Sequence, residues 1–154
     1  MEKKEKYELL LKQIAALIEG ETNEVGVLAN VSSALHHTFE QFFWTGFYML
    51  ADDGTLKLGP FQGTTACFTI PVGRGVCGTS FAERRTLVVP DVEEFPGHIA
   101  CSSLSRSEIV VPIYNGKGEA IGVLDIDSKD LNSFDDTDAK YLEEAMKILS
   151  KEIY

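Results

Sequence analysis

The chain has 154 residues, enough for one domain with a real core, and its 44% apolar and 25% charged residues are ordinary globular values. A formal charge of −10 with no basic stripe argues against nucleic acid, because nothing is present to displace the counterions of a phosphate backbone. No apolar run spans a membrane, and the opening MEKKEKYELLLKQ lacks a signal-peptide core, so a cytoplasmic protein with no membrane partner is expected.

YELLLKQIAALI carries an apolar stripe at Leu10, Ile14, Leu17 and Ile18 and is closed by Gly20, which predicts a first helix. Thr22 is the expected cap of a second, with Val25, Leu28, Leu35 and Phe39 on one side. His36 and His37 fall at its C-terminal end, where the helix dipole favours a partly charged imidazole without catalytic work. FFWTGFYML reads as an aromatic strand, Asp52-Asp53-Gly54 as a turn, and TLKLG as the return strand of a hairpin. ACFTIP is expected to be another strand, and GRGVCGTSFAERR a glycine-led turn running into a helix. Residues 91–106 form a long loop. SEIVVPIYNGKGEAIGVLDID is the clearest hairpin, with Asn115-Gly116 at its tip. A closing amphipathic helix follows, capped by Ser133, with Tyr141, Leu142, Ala145, Ile148 and Leu149 as its stripe. Helices at both ends of a strand-rich middle mean α+β, with helices on one sheet face and loops over the other, where a small-molecule pocket is expected.

Three cysteines at 67, 77 and 101 make no disulfide framework for a cytosolic chain, and no pair has the two-to-four-residue spacing of structural zinc, so no metal is expected. Cys67, within ACFTI, reads as a small buried hydrophobe. Cys77 sits near a helix start, where the dipole lowers a thiol pKa while burial makes it inert; both outcomes stay open. Cys101 is the reactive candidate: its loop, GHIACSSLSR, is polar, His98 and Arg106 can supply positive charge, and the SSLS backbone can donate to a thiolate.

Period two puts Trp44, Gly46 and Tyr48 on one strand face, a glycine between two aromatics, which is either core packing or an aromatic-walled gap with polar handles. Asp125 and Asp127 end AIGVLDID on one face, and Glu108 starts the partner strand, so the three carboxylates fall at the same end of the sheet. Such a group needs a cation, or one member must stay protonated and act as a donor.

The set FFWTGFY, LGPFQG, GRGVCGTS, FPGHIAC, SRSEIVVP and IGVLDIDS resembles the free methionine-(R)-sulfoxide reductase family, built on a GAF domain, from about residue 20 onward. The resemblance implies one GAF-like domain over residues 1–154, with the first 20 outside the strongest match. It implies a six-stranded antiparallel sheet with helices behind it, commonly a homodimer, and no cofactor. It implies reduction of free methionine sulfoxide, with Cys101 as the attacking thiol, Cys67 forming a disulfide with it, and thioredoxin as the electron donor. Cys77 matches the family's third cysteine. Trp44 and Tyr48 match the methyl-sulfoxide pocket, and Glu108, Asp125 and Asp127 the groups that hold the polar part of the substrate. The competing expectation is a non-catalytic GAF module that senses a small molecule.

Overall fold

Helix α1 (Lys3–Ile18) buries Tyr7, Leu10, Ile14 and Ile18, the expected stripe extended by Tyr7; Leu17 lies at its edge and is exposed. Helix α2 (Glu24–Thr38) is capped by Asn23 rather than Thr22, because the Asn23 side chain accepts from the Gly26 N–H at 3.2 Å. Val25 consequently faces solvent, and Val27, Leu28, Val31 and Leu35 form the buried side. At His36 burial, then His37, pushes the pKa down, against the effect of the helix end, and its Nδ1 lies 3.2 Å from Thr45 Oγ1.

Strands β1 (Trp44–Leu50), β2 (Leu56–Gln62), β3 (Thr69–Ile70), β4 (Leu87–Val89), β5 (Ser107–Tyr114) and β6 (Ala120–Ser128) form one antiparallel sheet in the order β3-β2-β1-β6-β5-β4. Between them lie helix α3 (Gly75–Glu83) and a single 3-10 turn (Val92–Glu94), and helix α4 (Asp136–Ile153) ends the chain. This computed structural model describes all of residues 1–154. Only Thr69 and Ile70 of ACFTIP pair as a strand, so Cys67 lies in the preceding loop. The β5–β6 loop spans residues 115–119. The Asn115 side chain closes it by accepting from the Lys117 and Glu119 N–H groups, and Gly118, not Gly116, takes the left-handed conformation (φ 77°). Asp135, not Ser133, caps α4, in a reciprocal capping box with Asp138.

Strand alternation divides the core in two. Phe47, Ile109, Val111, Leu124 and Ile126 face α1, α2 and α4 in the larger cluster. Trp44, Tyr48, Val110 and Val123 face the other way, against Val76 and Cys77 of α3. The second face is therefore covered by a helix as well as loops. Across the first layer, Asp138 is fully buried and accepts from the Tyr7 hydroxyl at 2.5 Å and from Lys3 Nζ at 2.7 Å, tying α1 to α4.

Helix α3 can lie this close because of Gly78. Its carbonyl accepts from the Gly73 N–H at 2.8 Å, and a Cβ there would stand 2.4 Å from the Pro71 carbonyl oxygen. Gly78→Ala must push the helix or the loop away, and is expected to cost roughly 1–3 kcal/mol in urea denaturation. An unchanged midpoint would show that the loop yields freely.

Candidate active site

Register brings the carboxylates together. On β6, Asp127 pairs with Trp44 of β1 and Glu108 of β5, while Asp125 pairs with Gly46 and Val110. Residues two apart share a face, so Glu108, Asp125 and Asp127 join Trp44 and Tyr48 on the side opposite the three-helix layer. Gly46 does not leave an open gap: a Cβ there would lie 2.3 Å from Phe61 Cβ and 2.7 Å from the Trp44 ring, which fills the space. Trp44 stacks on Phe61 at 5.2 Å and on Tyr48 at 6.0 Å between ring centroids, and donates its Nε1–H to the Thr64 carbonyl at 2.9 Å. The wall is fixed by aromatic contact and a satisfied indole.

The roof is the loop after β4. Cys101 lies in it, disulfide-bonded to Cys67, with their Cα atoms 5.4 Å apart across a sequence separation of 34. Cys67 is thus neither a strand residue nor a free buried hydrophobe; it is half-buried. Its carbonyl accepts from the Tyr48 hydroxyl at 2.9 Å, which ties the disulfide to the aromatic wall. Sheet, roof and α3 enclose a cleft of about 520 Å³, including its open mouth. Trp44, Tyr48, Cys77, Cys101, Glu108, Asp125 and Asp127 line it. The cysteines, carboxylates, Trp44 and Tyr48 singled out in the sequence all reach the cleft or, for Cys67, are bonded to a residue that does.

Glu108 and Asp125 are buried, 5% and 6% exposed, and neither has a neighbouring Lys or Arg partner. Burial first, then Asp125 and Asp127, drives the Glu108 pKa well above the usual carboxylate range. Asp127, half-buried, is also raised, by burial and then by Asp125. Asp125 is raised by burial too, against hydrogen bonds from Glu108 and Cys77 that favour its charge. Burial thus pushes all three carboxyls up, and for Glu108 and Asp127 the charge of Asp125 adds to it. Asp125 Oδ1 is buried with no hydrogen-bond partner, an orphan acceptor aimed into the site.

Cys77, at the third position of α3, is 4% exposed, with Sγ 3.9 Å from Glu108 Oε2. Burial, then Asp125 and Glu108, pushes the thiol well up, so burial overrides the helix dipole. His98 also lines the cleft, with Nε2 4.0 Å from Glu108 Oε1, and burial lowers its pKa despite Asp125. In the sequence His98 stood out only as a neighbour of Cys101; nothing local indicates that it turns toward a β5 carboxylate. Arg106 is exposed and outside the cleft lining, and burial disfavours a charge on His98, so the expected cationic pair does not form beside Cys101.

The GAF domain family matches residues 21–151. The chain is 57% identical over 147 residues to GAF domain-containing protein A of Dictyostelium discoideum, covering 96% of this chain and 92% of that one. It is 48% identical over 151 residues to the free methionine-R-sulfoxide reductase of Escherichia coli, covering 98% and 90%. The structure of the free methionine-R-sulfoxide reductase of Neisseria meningitidis in complex with its substrate is similar at a TM-score of 0.95 and 50% identity, covering 99% of this chain and 90% of that one.

Proposed function

Because the chain belongs to the free methionine-(R)-sulfoxide reductases, an enzyme family built on the GAF domain, we propose that it reduces free L-methionine-(R)-sulfoxide to L-methionine through Cys101. The Cys67–Cys101 bond at the roof of an aromatic and acidic cleft is the observation that carries this reading. The Cys101 thiolate attacks the sulfoxide sulfur while protonated Glu108 donates to the sulfoxide oxygen. Methionine departs, and the oxygen stays on Cys101 as a sulfenic acid. Cys67 attacks that sulfur, releasing water and closing the disulfide. An external dithiol protein of the thioredoxin class then reduces it; both sulfurs sit in half-buried residues, within reach of an incoming thiolate. Trp44 and Tyr48 hold the methyl-sulfoxide end by apolar contact, and Asp125 and Asp127 hold the ammonium.

The working unit in this reading is a single GAF-like domain over residues 1–154. It pairs as a homodimer through the helical layer, whose outer side exposes Leu9, Leu17 and Val25, and acts in the cytoplasm. No helix is long and apolar enough to cross a membrane.

The test is product analysis of purified protein with free methionine sulfoxide and a dithiol reductant. Methionine should form until the R epimer is consumed. Binding of the sulfoxide without methionine formation would instead make the protein a sensing module. One equivalent of substrate without reductant should leave a Cys67–Cys101 disulfide on peptide mapping. Cys67→Ser should stop at a trappable sulfenic acid after one turnover. A Cys77–Cys101 link in the oxidised protein would transfer the resolving role to Cys77.

A further inference from the structure

The proposed reaction leaves one nucleophile idle. Cys77 is the free cysteine, buried beneath the cleft on α3, where its sulfur meets Glu108 Oε2 at the edge of the second core cluster. Donor atoms of Cys77, Glu108 and Asp125 all lie within 4.8 Å of one another. His98 Nε2 approaches the same group, 4.0 Å from Glu108 Oε1.

We propose that Cys77, Glu108 and Asp125 form a three-ligand binding site, open at its fourth position, for a thiophilic divalent cation of the zinc class. Two independent observations carry it. The first is the convergence of a sulfur and two carboxylates from α3, β5 and β6, a placement that no spacing rule along the chain detects. The second is the orphaned Asp125 Oδ1, a buried acceptor without a donor in a residue only 6% exposed.

The dimensions suit a small tetrahedral ion. Zinc holds sulfur at about 2.3 Å and oxygen or nitrogen at about 2.0–2.1 Å, so neighbouring ligands stand roughly 3.3–3.6 Å apart. The Cys77 Sγ–Glu108 Oε2 separation of 3.9 Å stands close to that edge length. Donor chemistry sets the class. A thiolate selects zinc or cadmium, whereas magnesium and calcium require six or more oxygen ligands. The site shares Glu108 and Asp125 with the proposed catalytic cleft, so a bound cation and the substrate compete for them, but its formation does not depend on the catalytic reading.

Cadmium is the probe, added to the oxidised protein, in which the Cys67–Cys101 bond leaves Cys77 as the free thiol. A sulfur-to-cadmium charge-transfer band should rise to one equivalent and be displaced by zinc, with no competition from a large excess of magnesium. Cys77→Ser should remove the band. The near-isosteric Asp125→Asn, with its fold checked by circular dichroism, should keep the thiol and weaken cadmium at least about tenfold. Absence of the band in the unaltered protein, its persistence in Cys77→Ser, undiminished affinity in Asp125→Asn, or equal displacement by magnesium would each overturn the site. The readout involves no turnover, so its failure leaves the reductase reading untouched, and failure of methionine formation leaves the cation site untouched.

Discussion

Cys101→Ser is expected to lower turnover of free methionine sulfoxide to background, a loss of roughly a thousandfold or more, while leaving the fold intact. An alcohol is hardly ionised near neutral pH, so the variant lacks the thiolate that attacks sulfur. The fold should survive because Cys101 is half-buried in the roof loop and belongs to neither core cluster. Loss of the disulfide is a separate effect, and Cys67→Ser controls for it: that variant also lacks the bond but should still give one turnover. Steady-state methionine formation in a folded Cys101→Ser protein would end the assignment.

Asp125→Asn is expected to separate free from blocked substrate. A free amino acid carries an ammonium, whereas N-acetyl methionine sulfoxide presents a neutral amide at the same position. Asp125 Oδ1 is buried and lacks an internal donor, so an ammonium placed there gains a hydrogen bond at an otherwise unsatisfied oxygen and favours the charged carboxylate. Losing one partner of a desolvated charge pair costs about 2–5 kcal/mol, tens-fold to a few thousand-fold in kcat/KM. Acetylation should lower kcat/KM by that much on the unaltered enzyme. Asp125→Asn should have a comparable effect on the free substrate and little on the blocked one. The four values form a double-mutant cycle. Coupling near zero would remove the ammonium clamp and leave the preference to steric closure by the roof.

Much of this site was legible before any tertiary structure. Strand alternation is a local property, set by the pleat, so FFWTGFYML by itself places Trp44 and Tyr48 on one face, and AIGVLDID does the same for Asp125 and Asp127. The β5–β6 hairpin is equally local: a short connection forces neighbouring strands, which puts Glu108 at the Asp127 end of the sheet. Boundaries were less secure. Asn23 displaced Thr22, and Asp135 displaced Ser133, because several adjacent residues can cap a helix and the backbone geometry selects one.

Other features depend on contacts between distant segments. The three-residue strand β4 pairs with Glu108, Ile109 and Val110, and TLVVP has too few residues to announce that partner by periodicity. Cys67 reads as a buried hydrophobe until the roof loop returns 34 residues later to bring Cys101 beside it. The fate of Cys77 turned on competition between a helix dipole, which the sequence reveals, and desolvation, which it does not. Only the packing of α3 against β5 and β6 settled it, surrounding the thiol with Glu108 and Asp125. The sequence determined which groups share a face, because side-chain direction follows from the backbone repeat. Tertiary structure decided which become buried, paired or orphaned, because burial and electrostatic neighbours are set by segments far apart in the chain.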